Sequence, residues 1–140
     1  MKAEIAALIK YRLEQAQTAL EDAKFLLDGN RSPQSIVNRA YYAMFYSALA
    51  LLQVIGKVPS KHTGVISLFD TEFAVKGIFP KELSKHFHKA FELRQVSDYN
   101  TFKPISSEQA EDTYRNAVVF VETIKKYLGE TGGFAANERE

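Results

Sequence analysis

From Ile36 to Ile55 the chain reads IVNRAYYAMFYSALALLQVI, and only Asn38, Arg39, Ser47 and Gln53 in it are neither apolar nor aromatic. A helix of that kind needs neighbours on most of its sides, so this stretch predicts the centre of the core. At about 100° per residue, Ser35, Arg39, Tyr42, Tyr46 and Gln53 fall in one narrow sector of it. That stripe is either the wall of a site or the line along which polar tips reach the surface past their own buried stems.

The flanking patterns are helical as well. Ile5, Leu8, Ile9, Leu13, Ala16, Leu20, Ala23 and Leu27 recur at three-to-four spacing and predict a long first helix. Asp28-Gly29-Asn30 should end it, with the glycine in the left-handed conformation. Ser32 before Pro33 is a cap followed by a first-turn proline, which starts the central helix, and Gly56 should stop it. Ser60 can cap a shorter third helix carrying Val65, Ile66, Phe69 and Phe73 and ending near Gly77. Pro80 suits the start of a fourth helix with Leu83, Phe87, Ala90 and Phe91 on one face. Asn100 to Ile105 reads as a loop. Ser106 and Gln109 form a capping box before a last helix that Ala110, Tyr114, Ala117, Val121, Ile124 and Leu128 face inward and Gly129 closes. The fold class is all-α: a five-helix up-and-down bundle over residues 1–129, with a disordered tail expected at 130–140.

Composition narrows the function classes. A length of 140 residues at 46% apolar content supplies one domain with a sizeable core. Eighteen basic against seventeen acidic residues leave a formal charge of +1, so any binding of nucleic acid must be local. Zero cysteines exclude disulfides and thiolate metal sites. The N-terminus lacks a signal-peptide pattern and the central stretch lacks an unbroken run of about 18 apolar residues, so a soluble, cytoplasmic protein with no membrane contact is expected. His86 and His88 point about 200° apart on a helix and His62 is remote in sequence, so no metal site and no cofactor are expected. Isolated glycines exclude a phosphate loop, and the absence of a strand excludes a strand-borne nucleophile.

Two features of the fourth helix stand out. Lys81, Lys85 and Lys89 repeat every four residues beside His88, a stripe that reads first as a solvated face. Arg94 and Asp98 continue the sector of Leu83 and Phe87, so two opposite charges extend a face that is otherwise buried. They could form an intrahelical ion pair, or a guanidinium site for phosphate completed by Arg39 and Tyr42.

Ser35, NRAYYAMFYSALALL at Asn38 to Leu52, KHTGVISLFDTEFAVKGIFP at Lys61 to Pro80 and RQVSDY at Arg94 to Tyr99 together resemble the HEPN domain, in particular its small stand-alone, UPF0332-like prokaryotic branch. The resemblance implies a homodimeric five-helix bundle, often paired with a minimal nucleotidyltransferase as toxin and antitoxin, that binds RNA or a nucleotide. In its nuclease branch the resemblance further implies a metal-independent endoribonuclease, whose Arg steadies the phosphate and whose His, a few positions on, moves protons. Arg94 matches the Arg and Gln95 its polar neighbour, but positions 99 to 101 are Tyr99, Asn100 and Thr101. His62 or Tyr99 would then have to supply the proton transfer.

The expectation is therefore a non-catalytic binding and partner module, with the endoribonuclease and a plain dimerisation scaffold as alternatives. Ligand-binding candidates are Ser35, Arg39, Tyr42, Lys61 and Arg94; catalytic candidates are Arg94, Asp98, Tyr99 and His62. Arg39, Tyr42, His62, Arg94, Asp98 and Tyr99 should share one cleft. A homodimer is expected because Phe69, Phe73, Phe79, Phe87 and Phe91 exceed what one central helix can cover.

Overall fold

The computed structural model describes residues 2–99 and 104–131, with the backbone alone at 97–99 and 130–131. Five helices follow one another: α1 (Ala3–Asp28), α2 (Pro33–Val54), α3 (His62–Phe69), α4 (Lys81–Tyr99) and α5 (Ser107–Thr131), with a π-helical turn at Asp70–Ala74 after α3. Among the described residues there is no strand. The fold is the all-α bundle that the hydrophobic pattern implies.

Local chemistry sets several of the boundaries. Ser32 caps α2 by accepting from the Ser35 amide at 3.4 Å, and Pro33 follows in the first turn. Ser106 and Gln109 cap α5 reciprocally, each side chain bonding the other's backbone amide at 3.0 Å, which satisfies two amides that the first turn leaves open. Gly56 and Gly77 hold φ of 72° and 75°, the left-handed region that ends a helix without a Cβ clash.

Three boundaries depart from expectation. After α1 the left-handed residue is Asn30, at φ 52°, while Gly29 sits at −83°; asparagine tolerates this region and its amide bonds Leu27 O at 3.1 Å. Ser60 does not cap α3, whose cap position is Lys61, with no side-chain bond. Gly129 does not stop α5, which runs on to Thr131; a glycine permits a stop but does not compel one. The tail expected after it lies, from residue 132, outside the described residues, as do Asn100 and Thr101.

α2 is the central helix and packs on α1, α3, α4 and α5. Val37, Ala40, Tyr41, Ala43, Met44, Ala48, Ala50 and Leu52 along it are fully buried. At one end Ile36 and Val37 meet Leu93, Ile105 and Ala110. At the other, Tyr127 meets Phe73 and Phe79 edge-on. The four long helices therefore run alternately up and down, with α3 and the π turn folded across the end where α2 finishes.

The aromatic residues of α3 and α4 belong to this core. Phe69, Phe73, Phe79 and Phe87 are all buried within the protomer, and Phe69 packs on Phe73, Phe79, Phe87 and Phe120 at ring distances of 5.1 to 6.0 Å. Phe91 alone of the expected surplus is partly exposed. Those rings lend a dimer no support, because α5 supplies the cover that the sequence pattern left uncounted. Among the described residues no helix is long and apolar enough to cross a membrane.

Candidate functional site: a cation and aromatic cleft

Tyr41 and Tyr42 sit side by side on α2, but the 100° step between them gives them different surroundings. Tyr41 is fully buried. A buried phenol needs a partner, and the Tyr41 hydroxyl finds one in His62 Nδ1 at 3.0 Å, where α3 begins. The imidazole lies stacked on Phe45 at 4.2 Å and edge-on to Tyr42 at 5.8 Å. Gly64 makes this placement possible, because a Cβ there would stand 2.8 Å from Pro59 Cβ. The loop from α2 thus closes tightly over the start of α3, and His62 enters the cleft.

Two guanidinium groups reach the same phenol ring. Arg39 Cζ lies 5.2 Å from the Tyr42 ring centre, and Arg94 Cζ, from α4, lies 5.2 Å from it and 5.4 Å from that of Tyr41. Such cation and ring contacts hold each about 0.5–2 kcal/mol more firmly than water would. Arg39 is oriented by Asn38, whose Oδ1 accepts from Nε at 3.0 Å and from Nη2 at 2.8 Å. That partner is neutral, so it fixes the guanidinium without cancelling its charge.

Burial and charge together set the protonation states. Burial holds the Tyr41 phenol well above its ordinary value, against the opposing pull of the Arg94 charge. Burial, with the Arg94 charge second, pushes the His62 imidazole below its ordinary value. Both groups are neutral near pH 7, and the His62 Nε2 is the ring nitrogen that Tyr41 does not engage.

The sequence-predicted residues divide as follows. Arg39, Tyr42, His62 and Arg94 are brought together. Ser35 lies on the flank, lining with Gln34, Asn38 and Arg39 a groove of about 440 Å³. Lys61 is exposed at the cap position of α3, and its backbone carbonyl accepts from Val65. The side chains of Asp98 and Tyr99 lie outside the described residues. Tyr41, Asn38 and Phe45 were not singled out by sequence; the signal that could have found Tyr41 is a phenol inside an otherwise apolar helix, which has to be satisfied by a residue from elsewhere.

The lysine stripe of α4 is exposed, as a solvated face should be. His88 beside it is taken by Asp70, Nε2 to Oδ2 at 2.6 Å, and Ser84 donates to the other carboxylate oxygen. Among the described residues no three His, Asp or Glu side chains converge as a metal would need.

The cleft thus gathers two arginines and a neutral imidazole around a tyrosine pair within an all-α bundle. The family model that matches it is the HEPN domain, over residues 9–127. A UPF0332 protein of Thermotoga maritima is 40% identical over 121 residues, 86% of this chain and 91% of that one. The Methanocaldococcus jannaschii protein named "Putative toxin MJ0605" is 40% identical over 130 residues, 93% of this chain and 92% of that one. A second protein of that organism, named "Putative toxin MJ0142", is 34% identical over 116 residues, 83% of this chain and 78% of that one. This chain belongs to the HEPN domain family and resembles its small UPF0332 members.

Proposed function

We propose that the cleft of Arg39, Tyr42, His62 and Arg94 holds a phosphate of RNA or of a nucleotide, and that the chain acts as the HEPN partner of a minimal nucleotidyltransferase in a toxin and antitoxin pair. The observation that carries the first part is the convergence of two guanidinium groups on the Tyr42 ring from different helices. Guanidinium groups that converge from two helices can close on one phosphate with charge-assisted hydrogen bonds. The naming of two relatives as toxins supports the second part. Sedimentation of the chain with a co-expressed nucleotidyltransferase tests it, and separate boundaries at micromolar concentration would reject it.

The phosphate reading is tested by titrating pyrophosphate and short RNA into wild type, Arg39→Ala and Arg94→Ala. Loss of binding by about tenfold or more, with each variant still folded, is the expected result. If both variants lose thermal stability and the wild type binds neither ligand, the cleft is an internal fastening only.

One observation favours an endoribonuclease as the second reading: a neutral imidazole stands beside the Arg94 charge although the usual motif histidine is absent. His62 would take the proton of a ribose 2′-hydroxyl as its oxygen bonds to phosphorus, and return it to the departing 5′-oxygen. The products would be a 2′,3′-cyclic phosphate and a free 5′-hydroxyl. Cleavage of single-stranded RNA in excess chelator, lost in His62→Ala, would establish this reading; intact RNA leaves the binding module. Self-association is proposed on the family resemblance, and a sedimenting mass near 15.8 kDa at micromolar concentration would remove it.

A further inference from the structure

Beside Arg39, on the side facing α1, lies a groove of about 320 Å³ lined by Tyr11, Glu14, Thr18 and Asp22 of α1 and by Arg39 and Tyr46 of α2. The four α1 residues are spaced three to four apart and so share one face. Because α1 and α2 are antiparallel, Asp22 lies at the Arg39 end of the groove and Tyr11 and Glu14 toward the Tyr46 end. Tyr11 is 53% exposed, and Arg12 lies against it, 5.9 Å from its centre. Tyr46 is half-buried and contacts the Tyr42 ring at 5.8 Å. One helical turn, about 6 Å, therefore separates the ring under the two guanidiniums from the ring that enters the groove.

We infer that this groove is a nucleobase slot, and that it selects guanine. The inference rests on the phosphate reading of the neighbouring cleft and names what is attached to that phosphate. Carboxylates stand at both ends of the groove, Asp22 near Arg39 and Glu14 near Tyr46, so the phosphate stays on the Tyr42 side of Arg39 and the part of the ligand that enters the groove is uncharged. Two phenol rings at the mouth offer stacking surfaces, the means by which single-stranded nucleic acid is held without a strand or loop. Glu14 can only accept hydrogen bonds. Guanine presents two adjacent donors, N1–H and the N2 amino group, that a carboxylate accepts as a pair; adenine and cytosine offer one amino group and uracil one imide. The phosphate on Arg39 and Arg94, with the base between Tyr11 and Tyr46, spans one nucleotide.

The test is competition against a fluorescent UUGUU ribo-oligonucleotide by 5′-GMP, 5′-AMP, 5′-UMP and pyrophosphate, in wild type, Tyr11→Ala, Tyr11→Phe, Glu14→Gln and Arg39→Ala. GMP should compete about tenfold better than UMP. Tyr11→Ala should erase most of that margin and Tyr11→Phe should keep it. Glu14→Gln should bring GMP down to the level of AMP, with pyrophosphate unchanged in all three variants. Preference for UUGUU over UUUUU with equal competition by GMP and UMP would assign the slot to a guanosine within RNA; preference for GMP as well admits the free nucleotide. Equal binding of every nucleotide and both oligonucleotides, with pyrophosphate still lost in Arg39→Ala, overturns the slot and leaves the phosphate cleft standing. Failure of pyrophosphate and all nucleotides to bind overturns both. If Tyr11→Ala instead turns a sedimenting dimer into a monomer, the groove belongs to a second copy of the chain and the slot is rejected.

Discussion

Two corners of the bundle treat charge in opposite ways. At the π turn basic side chains meet carboxylates: Lys57 and Lys76 both bond Glu72, and the His88 ring bonds Asp70. In the cleft Arg39 is held by the neutral Asn38 and by an aromatic face, and the imidazole is bonded by a neutral phenol. A carboxylate fastens a cation and cancels its field; an amide or a ring fastens it and leaves the field standing. The first arrangement serves shape, and the second is the one on which the phosphate proposal draws.

That contrast can be broken by mutation, beginning where the largest effect is expected. Tyr41→Ala removes a fully buried ring from the core and should cost about 3–5 kcal/mol in urea unfolding. Tyr41→Phe keeps the ring and removes only the bond to His62, so about 1 kcal/mol is expected; a loss as large as that of alanine would mean that the hydroxyl, not the ring, is the anchor. Gly64→Ala forces a Cβ toward Pro59 and should cost about 1–3 kcal/mol, measured in the same way. A neutral change would show that the loop yields and that His62 is not held by that contact.

Smaller effects sharpen the distinction by pH. The folded-state pKa of His62 is lowered, so the unfolded chain binds the extra proton more readily. Its contribution to stability is present above the ordinary value of about 6.5 and lost as pH falls below it, through the lowered folded value. Wild type should therefore lose more stability than His62→Gln between pH 7 and pH 5, and parallel curves would refute the assignment. Hydrogen bonds from Lys57 and Lys76 lower the Glu72 carboxyl to about 2. Its contribution is present above the ordinary carboxyl value of about 4.5 and is lost as pH falls toward 2. Because both lysine partners are more than half exposed, Glu72→Gln should be the mildest change of all at neutral pH, and milder still at high salt.

The sequence revealed those features that depend on neighbours along the chain. The caps of α2 and α5 were legible because a serine with the right residue three places on settles the matter within one turn. The π turn was not, since Asp70 to Ala74 carries no local mark of its backbone bonding, in which the Val75 amide reaches back five residues to Asp70 O. Ser60 failed as a cap because the chain enters α3 one residue later than the pattern suggests. In the candidate site, Arg39 and Tyr42 could be paired from their shared helix face, and Arg94 from its odd position on a buried one. The Tyr41 bond to His62 crosses 21 residues, and nothing local in the sequence encodes it. The aromatic surplus misled for a related reason: whether a ring faces a partner or the last helix of its own chain depends on how α5 returns alongside α2.

The buried phenol also gives the molecule an optical marker. Exposed tyrosines ionise near pH 10 and their ultraviolet absorption shifts as they do. Tyr41, held above that range by its burial, stays dark in such a titration while the bundle is closed and joins the others once it opens. In an alkaline titration Tyr41 should therefore ionise only as the fold is lost, and Tyr41→Phe should remove that delayed step. An unfolding transition and the state of the cleft can thus be followed in one experiment, without a label.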